Sequence, residues 1–142
     1  MTVTVYQPAL SHIAQGDVDL LADDLRVLLV TAAYVPDFTA HDARNDIPDV
    51  TVIGESAADL PAKGLAIVSG KLVLTADPVT IFAVPPGSPV TQVVLYARHS
   101  TQAVSWLLVH YTGTSGLPYT PDGGNAIFGF GVGRKVLTMG QP

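Results

Sequence analysis

The chain has no cysteine. That excludes disulfides, thiolate catalysis and cysteine-ligated zinc or iron–sulfur centres, and it suits a protein folded in a reducing cytoplasm. Charge is scarce too: 13% of residues are Asp, Glu, Lys or Arg, against about a quarter in an average globular protein. The seven basic residues, Arg26, Arg44, Lys63, Lys71, Arg98, Arg134 and Lys135, are scattered, and the formal net charge is −5. Phosphate recognition needs clustered cations, so nucleic acid is not an expected partner. No apolar run is long enough to span a bilayer, and the start Met1-Thr2-Val3-Thr4-Val5-Tyr6 lacks the cationic segment of a signal peptide. No membrane association is expected on either ground.

What is present is apolar and turn-rich. Of 142 residues 48% are hydrophobic, with 13 glycines and 11 prolines breaking them into short runs. The length suits one domain, and no repeat or linker divides residues 1–142. Strands are predicted over Thr2 to Tyr6, Asp17 to Leu20, Leu25 to Ala33, Val50 to Ile53, Leu65 to Val68, Lys71 to Leu74 and Val79 to Val84. Further strands are Val90 to Arg98, Val104 to Thr112, Ile127 to Val132 and Lys135 to Met139. Ser69-Gly70 between two of them signals a two-residue hairpin. Leu25 to Ala33 is apolar on both parities apart from Arg26 and Thr31, so it is the predicted central strand, covered on both faces. Helix is expected only over Ala9 to Gln15 and as a single turn capped by Thr39. About ten short strands at this spacing imply an all-β fold, a compact sandwich or barrel with one or two short helices.

Chemistry-bearing residues form no strong motif. Asp37, His41, Asp42, Asp46 and Asp49 offer oxygen and nitrogen ligands for Ca²⁺ or Zn²⁺, but the glycine and bidentate glutamate of an EF-hand are missing. Turn capping and pairing with Arg44 is the preferred reading. His12, His41, His99 and His110 have no paired ligand spacing and read as structural histidines. There is no Gly-x-Ser-x-Gly and no phosphate-binding loop, and Glu55 is the sole glutamate. Neither catalysis nor a cofactor is expected. The aromatic group Trp106, Tyr111 and Tyr119 is the one candidate platform for a glycan or receptor, with core packing the plainer account. From Ile127 to Gly133, Gly129, Gly131 and Gly133 should line one face, open to close approach, with Phe128, Phe130 and Val132 on the other.

The segment Ala14-Gln15-Gly16-Asp17-Val18-Asp19-Leu20, followed by Asp24 to Asp37 and closing on His41 and Asp46-Ile47, resembles a family of small virion structural proteins of tailed bacteriophages. Gly64-Leu65-Ala66, Asp77-Pro78 and Val93-Val94-Leu95-Tyr96 follow in the order seen in that family. The resemblance implies a virion component made in the host cytoplasm, most simply a decoration or stabilising minor capsid protein. Alternatives are a tail, tail-tip or head–tail connector protein. Implied partners are the major capsid protein or other virion proteins. Low charge and high apolar content independently suggest a covered exterior, hence a homo-oligomer or an assembled state. The expected contacts are the termini and two loops that cannot join a ladder: Pro85 to Pro89, with Pro85, Pro86 and Pro89, and Gly113 to Gly124, with Leu117, Pro118 and Tyr119.

Overall fold

A computed structural model describes residues 1–114 and 116–140. Ser115 of one predicted contact loop, and Gln141 and Pro142 of the predicted terminal contact, lie outside the described residues. The chain is mainly β, with ten strands in three antiparallel sheets and one α-helix among the described residues. The elements are β1 (Thr2–Val5), α1 (Gln7–Ala14), β2 (Asp24–Thr31), β3 (Val52–Glu55), β4 (Gly64–Val68) and β5 (Lys71–Thr75). Then come β6 (Val79–Ile81), β7 (Val90–Arg98), β8 (Trp106–Thr112), β9 (Ala126–Phe128) and β10 (Lys135–Gly140).

A five-stranded sheet in the order β1-β8-β7-β2-β3 is the main layer. Its register pairs Leu29 with Val93 and Val93 with Tyr111, and on the opposite face Leu28 with Val94 and Val94 with His110. The Leu29 face packs against the smaller sheets β10-β5-β4 and β6-β9, making the fold a sandwich. Tyr111 stands 5.3 Å from the Phe128 ring and 5.9 Å from that of Phe130, and its hydroxyl donates to the Val136 carbonyl. Gly54 of β3 is closely packed: a Cβ there would be in van der Waals contact with the side chains of Leu29, Ile81 and Val84. The Leu28 face is covered by α1 and the segment that follows β2: Phe38 packs at 5.2 Å on Tyr6 and at 5.3 Å, edge-on, on His110. Covered on both faces, β2 is buried from Val27 to Thr31, as its two-parity apolar pattern requires.

Several boundaries differ from the sequence expectation, each for a local reason. Asp17 to Leu20 is a turn rather than a strand, because the Asp19 carboxylate takes the amides of Leu21 and Ala22. Val18 and Leu20 still point into the core. Helix α1 starts at Gln7, before Pro8, since proline fits a first helical turn whose N–H has no partner anyway. The turn after Pro36 is capped by Asp37, which accepts from the amides of Thr39 and Ala40 and from the Thr39 hydroxyl. Residues Asp49–Thr51 and Gln102–Val104 wind into 3₁₀ turns, delaying β3 and β8. Strand β6 stops at Ile81, with Ala83 at φ 50°. Strand β9 ends at Phe128 and the chain reverses through Gly131 and Gly133, both at positive φ, so Val132 projects into solvent instead of joining Phe128 and Phe130 in the core.

Candidate interaction surface

The two predicted contact loops meet. Val90, just after Pro89, exchanges backbone hydrogen bonds with Tyr119 at 2.7 and 2.9 Å, and Val84 does the same with Gly123 and Gly124 at 2.9 Å. The Asn125 side chain accepts from the Ala83 amide, and Pro86 lies under Gly123. These bonds splice loops about thirty residues apart into one end of the sandwich. Leu117 and Tyr119, with Leu29, Val93, Ile127 and Phe128, enclose an apolar hollow of about 300 Å³. Pro118, joined to Leu117 by a cis peptide bond, is exposed, as are Pro85, Pro86 and Pro89.

Sequence reasoning missed how this hollow continues. Thr114, Ile127 and Phe128 are shared with a second hollow of about 230 Å³ that reaches Met1 and Gly131. Met1 and Gly131 in turn border a third, of about 410 Å³, walled by Val3, Phe130 and Val132. These three adjoining hollows, the second and third of which border Met1 beside the β1 edge, are together called the trough. Its rim carries Ile127 and Val132, which are 73% and 99% exposed, with Met1 and Val3 about half exposed. The glycine run does not line a strand face as its spacing suggested but acts through bends: the positive φ of Gly131 and Gly133 thrusts Val132 outward, and Gly131 lies beside the Met1 side chain. The available signal was the pairing of bend glycines with a large apolar residue between them.

The acidic cluster is occupied with internal work. His41 Nδ1 accepts from the Asp37 amide, so the Tyr34 hydroxyl also donates to it, at 2.9 Å, and Tyr6 in turn donates to Tyr34. Hydrogen bonds led by the Thr39 hydroxyl hold the Asp37 carboxyl below its ordinary range. At Asp46 burial opposes the charge, but the Asp42 and Ala43 amides outweigh it and the net shift is also downward. Arg44, buried, donates to the Ile47 carbonyl and pairs with Asp49 at 2.9 Å. Among the described residues no three His, Asp or Glu side chains come together as a metal site would require.

The histidines and aromatics are likewise engaged. His110 is buried in β8 and donates from Nε2 to the Gln92 side-chain oxygen at 2.6 Å, while the Gln92 amide donates to the Thr31 and Tyr34 carbonyls. Burial pushes the His110 pKa down. His12 stacks on Trp106 at 3.7 Å and bonds Asp17, and His99 bonds Asp23 and the Val104 carbonyl. Of the proposed aromatic platform, Trp106 is therefore covered on one face by His12, Tyr111 is buried, and Tyr119 alone reaches the trough. A small polar recess of about 180 Å³ contains Arg44, Glu55, Tyr96 and Arg98. There Tyr96 donates to Glu55, and burial with that bond raises its pKa, keeping the phenol protonated.

The segment that carries the family resemblance supplies β2 and part of the cover on the Leu28 face, and of its residues Leu29 reaches the trough. Among the described residues no helix is long and apolar enough to cross a membrane. No protein-family model, curated protein or solved structure matches the chain.

Proposed function

We propose that the chain acts by protein–protein binding as a structural component of a tailed-phage virion, decorating or stabilising the head shell. The observation that carries the binding role is the trough: Met1, Val3, Ile127 and Val132 leave large apolar side chains in water around a preformed hollow. A contiguous apolar patch is a liability unless a partner covers it. The virion setting rests on the resemblance of residues 14–47, and the partner chemistry it suggests is an apolar segment of the major capsid protein or another virion protein. Repeated copies would multiply weak contacts into firm attachment.

The test is incorporation into particles of the phage that carries the sequence. The wild-type chain should be found in purified, dissociated virions, and Ile127→Asp with Val132→Asp should fold yet fail to incorporate, because both side chains are solvent-exposed. Absence of the wild-type chain from virions, or unchanged incorporation of the double variant, overturns the proposal. Copy number separates the sites within the particle: hundreds for a head shell, a few dozen or fewer for tail or connector.

A further inference from the structure

We infer that β4 is a self-association edge at which a second copy of this chain pairs β4 to β4 across a two-fold axis. The inference starts from how differently the sheet edges are protected. Protein sheets ordinarily blunt exposed edges with charge, proline or a bulge. Strand β3 has a register shift opposite Leu29 and Val30 and ends on Glu55, and β10 has one between Lys135 and Leu137 and starts on a lysine. Strand β4, Gly64-Leu65-Ala66-Ile67-Val68, has none of these: its register with β5 is unbroken, it carries no charge, and it has no proline; the shorter edge β1 is likewise bare but borders the trough already described. Among the described residues no strand covers its outer side. Leu65, Ile67 and Val68 are 42%, 72% and 42% exposed.

The geometry selects another copy as occupant. The two-residue Ser69-Gly70 turn makes Val68 and Lys71 a hydrogen-bonded pair, and the ladder alternates from there. Ala66 and Gly64 therefore also point their backbone groups at β5, while Leu65 and Ile67 present their N–H and C=O outward. Antiparallel pairing centred on Ala66 sets Leu65 opposite Ile67 of the second copy, and Ile67 opposite its Leu65. All outward donors and acceptors are then matched in one closed, isologous contact. Ala66 meets its own copy as the close, non-hydrogen-bonded pair, where Cα atoms approach to about 4.5 Å, and its methyl group suits that space. Gly64 meets Val68, again small against large. Leu65 and Ile67 from both copies form one apolar cluster, and this neutral strand lets two chains of net charge −5 touch without bringing acidic groups together. The contact is smaller than the roughly 1,200 Å² buried by durable free-standing interfaces, so the dimer dissociates on dilution. Because the pairing consumes both edges, assembly through β4 stops at two. The inference does not depend on the virion proposal.

The absence of native cysteine makes the test clean. Under mild oxidation Ala66→Cys should give a disulfide-linked dimer, since the paired Cα separation falls within disulfide range, whereas Val50→Cys, 88% exposed and outside any strand, should not. In sedimentation across a concentration series the wild type should pass from monomer to dimer. Ile67→Lys should weaken the dimer by about tenfold or more, through loss of an apolar pair and like-charge crowding across the axis. Ile67→Pro, which removes an outward N–H without touching the β4–β5 ladder, should do the same. Circular dichroism establishes that each variant is folded. A wild type that is monomeric throughout, open-ended oligomers, or cross-linking of Ala66→Cys no faster than Val50→Cys would overturn the inference.

Discussion

Strands β2 and β4 are built from the same kind of residue and meet opposite fates. Val27-Leu28-Leu29-Val30 of β2 is buried on both faces between the second β layer and the α1 side of the fold, whereas Leu65-Ala66-Ile67-Val68 of β4 stands in solvent at the rim of a three-stranded sheet. The difference lies in what the rest of the chain brings to each strand. Strand β2 has β3 and β7 alongside and aromatic, helical and β elements above and below. Strand β4 has β5 on one side and nothing described on the other. The apolar trough is a second case of the same kind, with Val132 turned outward while Phe130, two residues earlier, is core. An apolar strand sequence thus specifies that a neighbour is required without saying whether it comes from the same chain.

The sharpest way to break the comparison is to truncate each strand. Leu28→Ala should cost about 2–5 kcal/mol, the range for a buried leucine whose cavity cannot close, read by urea unfolding of dilute protein. Ile67→Ala should change monomer stability by no more than about 0.5 kcal/mol, and equal losses would refute the contrast. Next in size is the polar lock on the Leu28 face. Gln92→Leu strands the His110 donor and the Thr31 and Tyr34 carbonyls, and should cost about 1–3 kcal/mol in the same experiment.

The lock also makes stability pH-dependent. Burial lowers the pKa of His110 below its ordinary 6.5, so the unfolded chain binds the proton more readily than the folded one. Stability should be full above 6.5 and decline as the pH falls from there toward the folded value. Asp37 and Asp46, also lowered, are stabilising above 3.8 and should add a second decline below it. Thermal melts across pH 3 to 8 resolve both, and removing the imidazole with His110→Gln should flatten the upper limb. The smallest effect belongs to the hairpin beside β4. Ser69 holds φ 51°, a conformation asparagine tolerates better, so Ser69→Asn should stabilise by about 0.5 kcal/mol and leave the β4 dimer constant unchanged.

Sequence reasoning located β7 at its observed bounds, Val90–Arg98, and found the β4–β5 hairpin, because period-2 apolar runs and turn residues act locally. It failed where a side chain captured the backbone, as Asp19 did in turning Asp17 to Leu20 away from a strand, and where glycine bends cut β9 short. The predicted contact loops were legible as loops from Pro85-Pro86 and Gly123-Gly124. Their junction through Val90 and Tyr119 was not, since no local pattern encodes a pairing over that separation.

The residue pattern by itself determined that the chain is mainly β, that most of the predicted strand Leu25 to Ala33 lies inside, its last residues Ala32 and Ala33 being an exposed turn, and that the aspartates around His41 serve turns, because propensity, alternation and capping act over a few residues. Tertiary structure alone decided which apolar residues remain in water. Whether a Val or an Ile is covered depends on the arrival of a distant strand, which reached β2 on both sides and left the outer edge of β4 and the rim of the trough in water.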